Sequence, residues 1–118
     1  SCYDNVLIKG EVSVGRHTWI GPNCILDGVG GLTIGDYCSV SAGVQIYTHD
    51  TVNWSISLGA EPEDQAPVTI GNGVYLGPNA VVEKGVTIGD RAVIGAMSFV
   101  NSDIPPGSRV WGCPARVL

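Results

Sequence analysis

A six-residue repeat in the second half of the chain limits what the chain can fold into. Branched aliphatic residues recur every six positions at Ile70, Leu76, Val82, Ile88, Ile94 and Val100. A small or β-branched residue follows the first five of them by four positions, at Val74, Ala80, Val86, Ala92 and Ser98. An interval of six fits neither a helical period of about 3.6 nor a two-residue alternation. It predicts short strands joined by tight Gly or Asn corners, with the aliphatic residue inward and the small residue behind it.

Three such strands make one triangular turn of 18 residues. Successive turns stack at about 4.8 Å, as strands do in a parallel sheet. Each turn covers the apolar face of its neighbour, so several turns are needed before any is stable. We therefore predict an all-β fold, a parallel β-helix of about five coils that forms one domain over residues 1–118.

The repeat begins near Ile8 and is interrupted twice. The insertion DGVGGLT at residues 27–33 lengthens one repeat by two residues, which predicts a bulge or a hairpin-like corner. The pattern disappears at residues 51–67, which predicts an excursion loop, and long excursions in compact domains are often functional. Pro105 and Pro106 are expected to end the coils, and residues 103–118 are expected to form a capping tail.

Composition and charge exclude several classes of protein. The net charge is −5 and the few basic residues are scattered, so a nucleic-acid surface is not expected. No apolar run approaches the roughly 18 residues of a membrane span, so we expect neither a membrane span nor a signal peptide at the start of the chain. Four cysteines without a CxxC spacing predict reduced thiols in a cytoplasmic protein, with Cys24 and Cys38 in the small interior position of the repeat.

Three segments carry a more specific resemblance than the repeat itself. They are QIYTHD at residues 45–50, the repeat from Pro67 to Ser98, and DIPPGSRVWGCPARV at residues 103–117. On these motifs the chain resembles the hexapeptide-repeat acyltransferases, and among them the maltose/galactoside and polysaccharide O-acetyltransferases. The resemblance extends from residue 8 to the end of the chain. It implies a left-handed β-helix, although the general rule for parallel crossovers favours right-handed connections.

The resemblance implies a homotrimer with acetyl-CoA bound in the cleft between adjacent subunits and an imidazole as the base. His49, in the YTHD motif, matches the catalytic histidine region of the family. Eight positions match or accompany the coenzyme contacts of relatives: Tyr75, Gly77, Gly95, Ala96, Asn101, Ser102, Arg109 and Arg116. Three positions are candidates for contact with the acceptor: Asp27, Tyr47 and Trp54.

The chain also departs from the family pattern. Ser102 stands where the family often has a Lys that meets a coenzyme phosphate, and Tyr75 replaces a Trp. Ile20 stands where the galactoside enzymes have an Asn that contacts the acceptor. These departures leave the acceptor open. The resemblance implies O-acetylation of a sugar, a glycan or a related small acceptor, with N-acetylation of an amino-sugar nucleotide and a non-catalytic trimeric scaffold as the alternatives.

Moving an acetyl group from a thioester to a hydroxyl requires a base for the hydroxyl proton and a donor for the developing oxyanion. Imidazole titrates near neutral pH, which suits the first role for His49. Asp50 could orient the imidazole, but adjacent residues of an extended chain point apart. Asp27 is either a turn residue or an acceptor ligand. Trp54 either stacks on a sugar ring or packs the loop against a neighbouring subunit.

A metal-dependent alternative on the same scaffold is not favoured. The zinc-dependent carbonic anhydrase-like trimers require three His ligands, whereas this chain has only His17 and His49. We expect no metal, and we expect His17 to lie on the surface or at a trimer contact. Cys113 has no basic neighbour in sequence and is expected to be a structural thiol, so direct transfer is favoured over an acyl-cysteine intermediate.

Overall fold

The structure is a computed structural model and describes residues 5–118. Cys2 lies outside the described residues. The described chain contains one short helix and fifteen short strands. In chain order they are β1 (Leu7–Val14), β2 (Trp19–Ile20), β3 (Ile25–Ile34), β4 (Ser39–Val40), β5 (Gln45–Ile46), β6 (His49–Asp50), α1 (Val52–Ile56), β7 (Asp64–Gln65), β8 (Val68–Ile70), β9 (Tyr75–Leu76), β10 (Val81–Val82), β11 (Thr87–Ile88), β12 (Val93–Ile94), β13 (Phe99–Val100), β14 (Arg109–Gly112) and β15 (Ala115–Val117). Within residues 5–118, no helix has the length and apolar character that crossing a bilayer requires.

Parallel pairing arranges the strands in three faces, which we call I, II and III in the order in which the chain visits them. Face I stacks residues 7–8, 25–26, 45–46, 81–82 and 99–100. Face II stacks residues 12–14, 32–34, 68–70, 87–88 and 104. Face III stacks residues 19–20, 39–40, 75–76, 93–94 and 109–110. Each face has five levels, so the chain makes five coils, numbered 1 to 5 from the N-terminal end. The predicted parallel β-helix is confirmed.

The interior of the coils contains the residues that the repeat predicts. The six aliphatic residues at intervals of six are at most 1% exposed, and the five small residues that follow them are at most 3% exposed. Gly and Asn residues have two different roles in the corners: some adopt a left-handed backbone conformation, and others allow two coils to approach closely. Asn79, just before the inward Ala80, has a left-handed φ of 61°. Gly77 instead allows two coils to approach, because a Cβ there would lie 2.6 Å from the backbone N of Ala96.

A ladder of side chains joins successive coils at the corner between faces II and III. Asp90 Oδ1 accepts a hydrogen bond from the backbone N–H of Asn72 at 2.8 Å. Asn72 Oδ1 accepts from the N–H of Asp36 at 2.8 Å, and Asp36 Oδ1 accepts from the N–H of Arg16 at 2.8 Å. Coils 2, 3 and 4 therefore each supply the acceptor for a corner N–H of the coil before, which explains why Asp or Asn follows the corner Gly in these coils.

Both predicted interruptions lie at the corner between faces I and II. The register of β1 and β3 skips from Gly10↔Gly28 to Val12↔Leu32, so the insertion forms a bulge with two extra residues in coil 2. The excursion leaves coil 3 directly above this bulge. Its two ends pair as the antiparallel strands β6 and β7, which we call the neck, and it contains α1, none of whose residues is buried.

The coils continue past Pro105 and Pro106, which corrects the expectation that these prolines end them. Ile104 forms a parallel bridge with Ile88 and Val110 pairs with Ile94, so residues 104–110 still complete coil 5. The prolines fit because they lie in a corner, where a fixed φ and a missing N–H are tolerated. The chain then turns back, and β15 pairs antiparallel with β14, so the last strand covers the end of face III.

Candidate active site

An open groove with a volume of about 430 Å³ follows the corner between faces I and II. Tyr47, Val81 and Phe99 contribute an aromatic and aliphatic wall from face I. His49 and Lys84 contribute polar groups from the corner. A concave site that combines apolar walls with a few convergent polar groups is the usual form of a small-molecule site.

His49 lies where coil 3 leaves face I for the excursion. Its ring Nδ1 is 2.5 Å from Oδ2 of Asp27, and its side chain is 20% exposed and faces the groove. The register explains the contact. Face I pairs Leu26 with Ile46, so Asp27 lies in the coil next to the residues that follow Ile46.

The carboxylate of Asp27 is fully buried and both of its oxygens have partners. Oδ1 accepts from the N–H of Val29 at 2.9 Å, and Oδ2 accepts from the N–H of Thr48 at 3.1 Å in addition to its contact with His49. Burial raises the pKa of Asp27, but hydrogen bonds from Val29, Thr48 and His49 outweigh it and bring the pKa below its ordinary value of 3.8. The carboxylate is therefore ionised at neutral pH.

This burial corrects the expectation that Asp27 contacts the acceptor. The side chain has no exposed surface, so an acceptor in the groove meets His49 and not the carboxylate behind it. The alternative of a turn residue agrees with the bond that Oδ1 accepts from the N–H of Val29, two positions on, although the carboxylate is buried and therefore also needs its other partners. Asp27 is the buried hydrogen-bond partner of the His49 imidazole.

The pairing fixes which ring nitrogen of His49 is free. An ionised carboxylate has only acceptors, so Nδ1 of His49 carries a hydrogen and donates it to Asp27. The lone pair then resides on Nε2, the nitrogen that does not contact Asp27. This tautomer can accept a proton from a hydroxyl in the groove, and the anionic partner stabilises the imidazolium that results.

Thr48 connects the bulge of coil 2 to the start of the excursion. Its hydroxyl donates to the backbone oxygen of Asp27 at 2.9 Å and accepts from the N–H of Gly30 at 2.8 Å. The backbone oxygen of Thr48 accepts from the N–H of Ala66 at 2.9 Å, directly after β7. The side chain is fully buried. Together these three hydrogen bonds fix the backbone next to His49 relative to the bulge that begins at Asp27.

Asp50 does not orient the imidazole. Its carboxylate turns to Lys84, whose Nζ is 2.9 Å from Asp50 Oδ2 and 3.4 Å from Asp64 Oδ2. The hydrogen bond to Lys84 lowers the pKa of Asp50, and the same bond raises the pKa of Lys84. The adjacent residues His49 and Asp50 therefore face different partners, as the geometry of an extended chain requires.

The other two candidates for acceptor contact occupy different places. Tyr47 lies in the wall of the groove, and its hydroxyl donates to Oε1 of Gln45 at 2.7 Å. Trp54 lies on α1, half-exposed, with its indole against the turn at Gly59. Trp54 does not line the groove of its own chain.

The eight predicted coenzyme contacts fall into two groups. Asn101, Ser102 and Arg116 line a second groove, of about 480 Å³, at the end of the coils where β15 folds back. The other five lie on face III or at the corner between faces III and I, at Tyr75, Gly77, Gly95, Ala96 and Arg109. None of the eight is in the wall of the His49 groove of the same chain.

Gly95 has a packing role that the resemblance does not suggest. A Cβ at this position would overlap the indole ring of Trp111, which extends from β14 across the preceding coil. Trp111 remains 45% exposed and lies opposite Arg116 in the β14–β15 pair. An aromatic surface therefore covers the backbone at Gly95.

Sequence reasoning missed two residues of the site, Thr48 and Lys84. Both become visible once strands are aligned by coil and not by position in the chain. Val82 pairs with Ile46, so Lys84 stands beside Thr48 in the neighbouring coil. An alignment of successive coils at the corner between faces I and II would have drawn attention to both.

Two family models match the chain. The model described as "Bacterial transferase hexapeptide (six repeats)" matches residues 67–102, and "Hexapeptide repeat of succinyl-transferase" matches residues 11–48. Among solved structures, the hexapeptide-repeat-containing acetyltransferase VCA0836 from Vibrio cholerae is 32% identical, with a TM-score of 0.91 over 99% of this chain and 68% of that one. The chain belongs to the hexapeptide-repeat acetyltransferase family. The predicted family resemblance is confirmed.

A second structure of VCA0836 and two curated relatives extend the comparison. VCA0836 complexed with acetyl coenzyme A is 34% identical, with a TM-score of 0.88 over 96% of this chain and 63% of that one. Nodulation protein L from Rhizobium meliloti (strain 1021) is 43% identical over 91% of this chain and 58% of its own length. Galactoside O-acetyltransferase from Escherichia coli (strain K12) is 36% identical over 92% of this chain and 53% of its own length. The chain thus spans little more than half the length of these curated relatives.

Proposed function

We propose that this member of the hexapeptide-repeat family transfers an acetyl group from acetyl-CoA to a hydroxyl of a sugar, a glycan or a related small acceptor. The observation that carries the proposal is the pairing of a groove-facing imidazole with a fully buried, ionised carboxylate, His49 with Asp27. The galactoside O-acetyltransferase relative supports a sugar hydroxyl as the acceptor. The acetyl coenzyme A complex of VCA0836 supports the acyl donor.

In the proposed reaction His49 acts as a general base. Nε2 takes the proton of the acceptor hydroxyl while the oxygen attacks the thioester carbonyl, and the C–O bond forms. The tetrahedral intermediate collapses with cleavage of the C–S bond. The imidazolium returns the proton to the coenzyme A thiolate, so the products are the acetyl ester and free coenzyme A. Asp27 stays ionised throughout and stabilises the imidazolium that forms between the two steps.

We propose a homotrimer, since the two groups of predicted coenzyme contacts lie away from the His49 groove of their own chain. A second copy packed beside face I would bring its own contacts toward that groove. In this arrangement Trp54, exposed on the excursion, is available to an acceptor or to the neighbouring subunit. Arg109 and Arg116 would supply positive charge to the coenzyme phosphates in place of the Lys that Ser102 replaces.

We also propose a cytoplasmic setting for the enzyme. Cys38 is a buried free thiol within hydrogen-bond reach of the backbone oxygen of Gly71, and Cys113 is an exposed free thiol. Thiols in this state are typical of a reducing compartment.

The test is an acetyl-transfer assay with acetyl-CoA and a panel of sugars, glycans, nucleotide sugars and amino sugars, followed by the release of free thiol. We expect turnover with a hydroxyl acceptor and a loss of about 10²-fold or more in His49→Gln. His17→Gln is the matched control, because His17 lies at another corner, where its ring stacks on Tyr37 with centroids 4.8 Å apart.

Each outcome of this assay has a defined meaning. Equal turnover by the wild type and His49→Gln would remove His49 from the mechanism. Turnover confined to amino sugars would replace O-acetylation by N-acetylation. Absence of acetyl-CoA binding by calorimetry would favour the scaffold alternative.

A further inference from the structure

Lys84 bridges two carboxylates that face each other across the neck of the excursion. Asp50 on β6 and Asp64 on β7 form a directly opposed antiparallel pair. The Nζ atom of Lys84 lies 2.9 Å from Asp50 Oδ2 and 3.4 Å from Asp64 Oδ2. Lys84 comes from the corner of coil 4, so the bridge joins the excursion to a coil other than the one from which it starts.

The neck has few other means to stay closed. It consists of two residue pairs, His49↔Gln65 and Asp50↔Asp64, and like charges directly opposite each other destabilise an antiparallel pair. The ammonium group of Lys84 neutralises that repulsion. The side chains of Lys84 and Asp50 are only 21% and 34% exposed, so water screens this half of the bridge less than an ordinary surface ion pair, whereas Asp64 is 53% exposed and its half is screened more fully.

His49 is itself a residue of the neck, since it lies on β6. Its imidazole is held from coil 2 through Asp27, whereas its strand is held from coil 4 through Asp50 and Lys84. An imidazole must lie within hydrogen-bond reach of the acceptor hydroxyl to act as a base. Opening of the neck would move the ring and one wall of the groove together, because Asp50 and Thr51 line the same groove.

We propose that Lys84 is a positioning residue that closes the neck of the excursion and thereby holds His49 in its reacting position. The proposal rests on the acetyltransferase function proposed above. Lys84 acts through the backbone of β6 and through the two carboxylates, and it takes no part in the proton transfer itself.

The first test measures closure of the neck and is independent of activity. Amide hydrogen exchange is followed in peptides that cover residues 48–67, which include the bond from the N–H of Ala66 to the oxygen of Thr48 at 2.9 Å. We expect Lys84→Met to accelerate this exchange by about tenfold or more, since local opening becomes easier. Lys9→Met is the matched control, because Lys9 lines the same groove and forms no ion pair within residues 5–118, and we expect exchange in this segment to match the wild type.

The second test uses kinetics and a compensating substitution. We expect Lys84→Met to lower kcat/KM for the acceptor by about 10-fold to 10²-fold, since misplacement of a reacting group by about 1 Å can cost about 10²-fold. Asp64→Asn, introduced into Lys84→Met, removes one of the opposed charges and is expected to recover most of the loss. Asp64 does not line the groove, so this recovery acts through the neck and not through a contact with the acceptor. Lys84→Arg is expected to keep most of the activity, since a guanidinium also bridges two carboxylates.

Two results would overturn the proposal. One is unchanged exchange of residues 48–67 in Lys84→Met. The other is a loss of activity that Asp64→Asn does not relieve, which would make Lys84 a direct substrate contact. A wild-type protein without acetyl transfer would instead refute the proposed function, and the exchange experiment would still decide whether Lys84 closes the neck.

Discussion

The carboxylate of Asp27 and the imidazole of His49 meet at 2.5 Å although 22 positions separate them in the chain. Stacked coils bring them together, because a coil that includes the two-residue insertion shifts the register on face I by 20 positions. The insertion matters for a second reason. Its Gly30 donates to the Thr48 hydroxyl, so the bulge supports the segment that carries His49.

Substitution of Asp27 by Asn tests the role of the buried carboxylate. An amide at this position can present an N–H to Nδ1 of His49, which favours the tautomer with the hydrogen on Nε2 and removes the base. We expect kcat to fall by about 10²-fold to 10⁴-fold, with acetyl-CoA affinity unchanged. The measurement is steady-state kinetics together with calorimetric titration of the coenzyme.

Asp36→Asn is the matched control for this variant. Asp36 accepts a backbone hydrogen bond at the corner between faces II and III, and an amide oxygen can replace that acceptor. We expect wild-type kinetics from Asp36→Asn. If the kcat of Asp27→Asn equalled that of this control, the carboxylate would not orient the base.

The lowered pKa of Asp27 predicts how stability depends on pH. Its pKa in the folded protein lies below the ordinary value of 3.8, so between these two values the unfolded chain binds more protons than the folded one. The contribution of Asp27 is therefore complete above pH 3.8 and is lost as the pH falls through the folded pKa. Urea unfolding should give a stability difference between the wild type and Asp27→Asn that shrinks as the pH falls below 3.8. A difference that grows as the pH falls below 3.8 would contradict the assigned direction.

Most of the fold follows from local periodicity and was predicted. The interval of six marks inward residues such as Leu76 and Ile94 because each strand contributes one side chain to a narrow interior. The same logic did not reveal that coil 5 continues past Pro105. Residues 101–108 contain only an isolated bridge at Ile104 before β14 begins, so the repeat is shortened there and its period is lost in the sequence.

The site was predicted less completely because it depends on contacts between coils. The family motif identifies His49, but it does not show what lies behind the ring. Asp27, Thr48 and Lys84 become neighbours only after an insertion of two residues and an excursion have changed the spacing between coils. These three residues therefore cannot be recognised as neighbours from their positions in the chain, but they can be once the register of the strands is known.

The ladder at the corner between faces II and III predicts a modest and local stability effect. In Asn72→Ala the N–H of Asp36 loses its acceptor, and we expect a loss of about 1 kcal/mol in the free energy of unfolding. Asn72→Asp keeps an oxygen at the same place and is expected to retain more stability than Asn72→Ala. Urea unfolding monitored by circular dichroism measures both. Equal losses in the two variants would show that the side-chain acceptor contributes nothing.

The contact between Gly95 and Trp111 gives a prediction about the end of the coils. A methyl group in Gly95→Ala would overlap the indole ring, so the ring and β14 must move, and we expect a destabilisation of about 1–3 kcal/mol with a shift in tryptophan fluorescence. In the background Trp111→Ala the space above residue 95 is open, and the same substitution should cost much less. Thermal unfolding of the four proteins in this double-mutant cycle measures the coupling. If the effects of the two substitutions on stability are additive, the indole does not pack on Gly95. If they couple, the ring covers the backbone position where the family resemblance places the coenzyme. Trp111→Ala should then also change the Kd for acetyl-CoA.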